Sequence, residues 1–153
     1  MDIVVVIGTV ASVIAALSGV ILLFVQLRSP YFSCFKVNSF GQNRFVVECS
    51  LATSLIGCRF LKASVNGAFI KQVPLDWRSH FSMPDASGCS KSVSLNFVTD
   101  PQSLVGKFAF LVFPPPNSET FPASPELEIS WKWFFIHRSL THPFNHSNSA
   151  LTS

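Results

Sequence analysis

Between Asp2 and Arg28 the chain carries no Asp, Glu, Lys, Arg or His, and within residues 3 to 27 only Thr9, Ser12, Ser18 and Gln26 are polar. At ~1.5 Å rise per residue a helix over this run extends roughly 37 Å. That exceeds the ~30 Å hydrocarbon thickness of a bilayer, so the helix can cross with some tilt. The three hydroxyls can bond back to the helix backbone, and Gln26 lies close enough to the end to reach headgroups. A cleavable signal peptide is the rival reading. It asks for a positive start, an apolar stretch of about 7 to 15 residues and a small-residue cleavage site. The chain instead has Met1-Asp2, a much longer apolar run, and Gln26-Leu27-Arg28-Ser29-Pro30 at the exit.

The expected layout is a short flank (1–2), a transmembrane helix (3–27), a linker (28–30), a β domain (31–136) and a disordered polar tail (137–153). No Lys or Arg precedes the helix, whereas Arg28, Lys36 and Arg44 follow it. The positive-inside bias then predicts a cell (inner) membrane protein, single-pass, with its C-terminal domain in the cytoplasm. Cys34, Cys49, Cys58 and Cys89 fit either side, as free thiols in a reducing compartment or as two disulfides outside. Cys49 falls on an apolar strand face, where a buried thiol belongs. The sequon Asn145-His146-Ser147 has meaning only for a lumenal domain.

After Pro30 the hydrophobic period changes from helical to alternating. Residues 31–40 form a first strand candidate. In the second, Phe45, Val47, Cys49 and Leu51 alternate with Arg44, Val46, Glu48 and Ser50, as in a half-buried antiparallel strand. Residues 58–65 and 68–73 flank Asn66-Gly67, a dipeptide suited to a type I′ hairpin. Val93, Leu95 and Phe97 alternate with Ser92, Ser94 and Asn96. Residues 105–113 are apolar on both faces, as in a central strand closed by Pro114-Pro115-Pro116. The last candidate sends Leu127, Ile129, Trp131, Trp133 and Phe135 one way and Glu126, Glu128, Ser130 and Lys132 the other, with Phe134 and Ile136 breaking the polar face. The composition agrees, since 16 Phe and 3 Trp against 1 Tyr supply rings that mostly need no hydrogen-bond partner when buried. The fold class that follows is all-β, an immunoglobulin-like β-sandwich of about seven strands preceded by one N-terminal transmembrane α-helix. The Cys-Trp-Cys spacing of true immunoglobulin domains is absent.

Candidate chemistry is sparse. The four cysteines, Cys34 to Cys89, form no CxxC pair and match no zinc module. His137, His142 and His146 lie in the tail without a nearby Cys or carboxylate, so no metal and no cofactor is expected. Ser33-Cys34-Phe35-Lys36 has the S-x-x-K form of serine acyl enzymes but falls in a strand candidate instead of at a helix start. Lys and Arg are spaced singly, which is no nucleic-acid footprint. Trp131 and Trp133 share a face with Leu127 and Ile129, which assigns them to a core and not to a stacking platform. Two features remain as candidate contact surfaces. One is a pair of small-residue ridges on the helix, Gly8, Ser12 and Ala16 beside Ala11, Ala15 and Gly19, which would let another helix approach in lipid. The other is a set of apolar side chains without an obvious core role, Phe134, Ile136, Trp77 and Phe81. The expected function is a non-enzymatic interaction or accessory module at a membrane, whose partners are the lipid bilayer and a protein. The alternative is an oligomeric envelope or membrane assembly subunit associating through the helix ridges.

Overall fold

The alternation of apolar and polar residues after Pro30 resolves into strands that each place one face on a common interior. A computed structural model describes residues 3–39, 43–79, 88–115, 118 and 120–144. The helix α1 (Ile3–Arg28) is followed by β1 (Tyr31–Ser39), β2 (Phe45–Ala52), β3 (Arg59–Val65), β4 (Phe69–Val73), a short 3-10 turn (Trp77–Ser79), β5 (Ser92–Val98), β6 (Val105–Phe113), β7 (Glu126–Trp133) and β8 (Ile136–Pro143). The strands make two antiparallel four-stranded sheets, β1-β2-β6-β4 and β5-β3-β7-β8. The fold is a β-sandwich preceded by one apolar helix, as the pattern predicts.

Between the sheets lie Val47, Cys49 and Leu51 of β2, Phe108, Phe110 and Val112 of β6, Phe60, Ala63 and Val65 of β3, and Leu127, Ile129 and Trp131 of β7. Phe60 and Ala63 are three residues apart, yet both point inward. A bulge between Phe60 and Lys62, present in the pairing with β5 and with β7, inserts the extra residue that restores the face. The two-sided apolarity of β6 also has a structural cause. Its outward Leu111 and Phe113 join Val46 in a second cluster, covered by Phe69, Val73, Trp77 and Cys89.

Two expectations fail, each for a physical reason. Asn66-Gly67 does not make a hairpin, because β3 and β4 belong to different sheets. Gly67 has φ +65° whereas Asn66 does not share the positive φ that a type I′ turn requires. The Ala68 N–H donates to the Val65 carbonyl (3.3 Å) and the Asn66 N–H to the Glu126 carbonyl (3.1 Å), so the turn arches from one sheet to the other. The expected disordered tail begins instead as β8, paired with β7 from Trp133↔Ile136 to Glu126↔Pro143. Leu140 packs on the core, and Phe144 is buried with its N–H bonded to the Pro125 carbonyl (3.0 Å). Residues 145–153 of that tail lie outside the described residues. Among the described residues the strand count is therefore eight.

The aromatic interior makes a demand at Gly106. A Cβ there would stand 2.9 Å from Phe108 Cε2 and 3.0 Å from Phe97 Cδ1, and both rings are held: Phe108 meets Phe97 and Phe60 edge to face, and Phe97 stacks on Phe60. Gly106→Ala is expected to destabilise the domain by about 1–3 kcal/mol, the usual range for overpacking. Chemical denaturation of the detergent-solubilised chain measures this, and an unchanged midpoint would mean that the rings move aside freely.

Candidate functional site

Where α1 ends, its last turn is built into the sandwich. Val25 is 0% exposed and belongs to the same cluster as Val47, Leu55, Phe60 and Trp131, while every other described residue of the helix from Ile3 to Arg28 is exposed. A helix leaves its final carbonyls without intrahelical donors, and one of them is satisfied from the domain. Thr53 Oγ1 donates to the Arg28 carbonyl (2.9 Å) and accepts from the Leu55 N–H (3.1 Å), and Thr53 itself is buried. Phe24 lies 6.3 Å from Trp133, ring centre to ring centre, and the Arg28 guanidinium sits 4.6 Å over Phe24. Trp133 Nε1 donates to the Ile56 carbonyl (3.1 Å). Residues 28–30, expected as a linker, form a packed joint in which Pro30 is buried.

The turn beneath this joint is held from the other side by Thr99. Its hydroxyl donates to the Leu55 carbonyl (2.6 Å) and accepts from the Cys58 N–H (2.9 Å), and its carbonyl accepts from the Gly57 N–H (2.8 Å). The turn thereby presents Ile56 outward, and Ile56 is exposed. Next to it stands the two-residue tip of the β7–β8 hairpin. Phe134 and Phe135 are 72% and 81% exposed. Phe134 has φ +50°, a left-handed conformation that turns of this kind ordinarily assign to Gly, Asn or Asp. Holding a bulky residue there costs roughly 1–3 kcal/mol.

Charge is unevenly placed on the outer face of β5-β3-β7-β8. Arg59, Lys132 and His137 stand in one register row across β3, β7 and β8, at the end nearest α1. Glu126 and Glu128 occupy the opposite end of β7. A half-open groove of about 390 Å³ lies beside the tip, lined by Ile56, Gly57, Arg59, Lys132 and Phe134.

The structure separates the candidate residues named from sequence. Gly8, Ala11, Ser12, Ala15, Ala16 and Gly19 all lie on the exposed part of α1. The Ser12 hydroxyl bonds back to the Gly8 carbonyl (2.9 Å), and a Cβ at Gly8 or Gly19 would meet nothing within 4 Å. Phe134 is at the hairpin tip, whereas Ile136 packs against the main core. Trp77 is on the other sheet, where its Nε1 donates to Glu48 Oε1 (2.8 Å) and its ring covers the second cluster. Phe81 lies outside the described residues. Phe135, assigned by alternation to the core, is exposed because the chain turns at Phe134-Phe135 and alternation ends there. Sequence reasoning missed Phe24, Val25, Thr53 and Ile56, since nothing in the local pattern says that the helix end touches the domain.

Ser33 sits at a bulge in β1 and donates to the Ser50 carbonyl (3.1 Å), as a strand residue. His142 stacks on Phe35 with ring centres 3.9 Å apart. Cys49 and Cys58 are buried free thiols, and Cys34 is exposed. Burial, with Cys34 nearby as the lesser cause, pushes the Cys49 thiol from 9.0 up to about 12. Burial alone pushes Cys58 up to about 12.

Two outcomes follow from this geometry. Thr53→Val removes the hydroxyl that serves both Arg28 and Leu55, and is expected to destabilise by about 1–3 kcal/mol. It should also open the Arg28–Ser29 bond to trypsin in the detergent-solubilised chain, and equal protease resistance of the two proteins would count against a tight joint. For the cysteines, a maleimide should modify Cys34 in the folded protein and spare Cys49 and Cys58 until denaturant is added. The folded state holds both thiol protons more tightly than the unfolded chain, so their contribution to stability is complete below pH 9.0 and declines as pH rises toward about 12. Equilibrium unfolding across that interval reads the slope.

No protein-family model matches the chain, and no curated protein sequence matches it. Solved structures that the chain partly resembles include two of OgpA from Akkermansia muciniphila: a catalytically inactive form in complex with an O-glycopeptide (glycodrosocin) substrate, and the wild type. Each shares 12% identity and a TM-score of 0.39, with 78% of this chain covered. The chain spans 29% of the length of those proteins, and at this distance the likeness carries no argument about activity.

Proposed function

We propose that this chain is a single-pass membrane protein whose helix holds the sandwich rigidly at the bilayer surface, where the sandwich acts as a non-enzymatic interaction module. The observation that carries the reading is the joint between them. α1 is long and apolar enough to cross a membrane, and it is exposed along its length except in its last turns, where Val25 is buried and Phe24 packs on Trp133. An apolar surface of that extent needs an apolar surrounding. The seating of Val25 also favours a retained anchor over a leader that is cut away. Cleavage beyond residue 28 would empty a core position and leave Thr53 Oγ1 without the Arg28 carbonyl.

Free Cys49 and Cys58 in the interior, together with Arg28, Lys36 and Arg44 after the helix, favour the cytoplasmic face for the domain. Tethering raises the effective concentration of the sandwich toward partners in the same membrane. A protein partner at the membrane is the expected ligand of the module.

The test is flotation of the full-length chain with vesicles, followed by extraction at high pH. The chain should rise with lipid and stay with it through carbonate treatment. Recovery as a well-behaved monomer in the detergent-free supernatant would overturn the anchoring and the tethered function with it.

A further inference from the structure

The same end of the sandwich that receives α1 exposes the tip of the β7–β8 hairpin, and we propose that this tip is a second membrane contact. Phe134 and Phe135, with Ile56 beside them, enter the interfacial layer of the leaflet from which α1 emerges, and Arg28, Arg59 and Lys132 take the phosphates of its anionic lipids. This rests on the reading of α1 as a membrane-spanning anchor.

Position comes first. At ~1.5 Å per residue, the 26 residues of α1 run about 39 Å, roughly 9 Å more than a ~30 Å hydrocarbon layer. Residues close to Arg28 therefore stand in the headgroup region, and Phe24 is one turn from Arg28. Trp133 packs on Phe24, and the tip extends from Trp133, with the rings of Trp133 and Phe134 4.8 Å apart. The hairpin is thus level with the part of the helix that leaves the hydrocarbon. Leu27 is exposed at that level too.

Chemistry comes second. Aromatic side chains concentrate at membrane interfaces, and Lys and Arg beside them reach phosphate oxygens while their stems stay apolar. The groove lined by Ile56, Gly57, Arg59, Lys132 and Phe134 has this composition, two apolar side chains and two cationic ones. The carboxylates of β7 are at its far end, at Glu126 and Glu128. Asp100 is at the near end, but its Oδ1 accepts from the Gln102 N–H (2.8 Å) and the Ser103 N–H (2.7 Å), closing its own turn. Anionic lipid accordingly meets a surface of opposite sign. Phe134 gives the third argument. A strained turn filled with a bulky aromatic residue makes sense where the ring itself is needed outside the fold.

The experiment uses full-length Phe135→Trp, and separately Ile56→Trp, reconstituted in phosphatidylcholine vesicles with or without phosphatidylglycerol. Wild-type emission is subtracted to remove Trp77, Trp131 and Trp133. Both substituted positions are exposed, so the fold is retained. The added tryptophan emission should shift to the blue, lose most of its intensity when the lipids carry bromine high on the acyl chain, and resist aqueous iodide. Quenching should be greater with phosphatidylglycerol, and Arg59→Gln with Lys132→Gln should erase that difference. If the chain floats with the vesicles while the added tryptophan stays open to iodide and untouched by bromine, the tip contact is wrong and anchoring stands. If quenching is equal in the two lipid mixtures, the phosphate assignment is wrong. A chain that does not float shows instead that the anchoring reading has failed.

Discussion

Burial of Val25 in the main apolar cluster of the sandwich turns two structural parts into one body. Without it, α1 would be joined to the sandwich by a few residues with free backbone torsions, and the domain could swing. With it, the helix direction is fixed by packing on one side and by the Thr53–Arg28 hydrogen bond on the other. The requirement propagates inward. Thr53 is placed by the pairing of β2 with β6, and its own N–H bonds to the Leu104 carbonyl (3.2 Å). Trp133 is placed by β7, which is itself in register with β3 and β8. The joint therefore draws on both sheets, and loosening either would be felt there.

The sandwich resists such loosening through two layers of apolar packing. The inner layer is built around Phe60, Phe97, Phe108 and Phe110, whose centroids lie 5.8–6.2 Å apart and which pack partly edge to face and partly stacked. An outer layer on β2 and β6 would be exposed in a simple two-sheet sandwich. Here the segment around Trp77 lies over it, held by a polar knot at Glu48. That carboxylate accepts from Trp77 Nε1 (2.8 Å) and Asn38 Nδ2 (3.3 Å), with the Arg78 guanidinium 3.6 Å away. The Arg78 ion pair is solvent-exposed and adds little by itself. The tryptophan contributes through the apolar surface it covers.

Much of this was legible from the amino-acid pattern, and the failures have a common origin. The uncharged run predicts α1 to within a residue of its end, alternation locates β2, β5 and β7 because each buries one face along its length, and apolarity on both faces marks β6 as a central strand. Pattern reading fails where a contact is decided by partners distant in sequence. Asn66-Gly67 is locally compatible with a hairpin, and only the pairing of β3 with β7 and of β4 with β6 turns it into an arch between sheets. In β8 the inward-facing run includes His142, which stacks on Phe35 of β1, so a polar residue fills an apolar role and the period disappears from view. The candidate site was least visible. Phe134 breaks the polar face of its strand in the sequence, but Ile56 beside it comes from a turn far away in the chain, Phe24 reaches the hairpin only through Trp133, and the alternation that would put Phe135 in the core is interrupted by the hairpin.

Rigid seating changes what a tether can do. A flexible linker lets a domain sample many heights and directions and so raises the local concentration of its surface toward any neighbour within reach. A domain seated on its helix, as here, samples few. Under the proposed anchoring, the end that carries Arg59, Lys132 and the Phe134-Phe135 tip faces the bilayer, and the far end, with the β3–β4 arch at Asn66-Gly67 and the acidic Glu126 and Glu128, faces away from it. A partner would then be selected by height as well as by surface chemistry, because only a protein with its contact about one sandwich length from the membrane could meet the far end without bending the joint. Under that anchoring the basic end is drawn toward the negative leaflet, whose potential fades before it reaches the acidic end, so the charge distribution and the seated helix favour the same orientation.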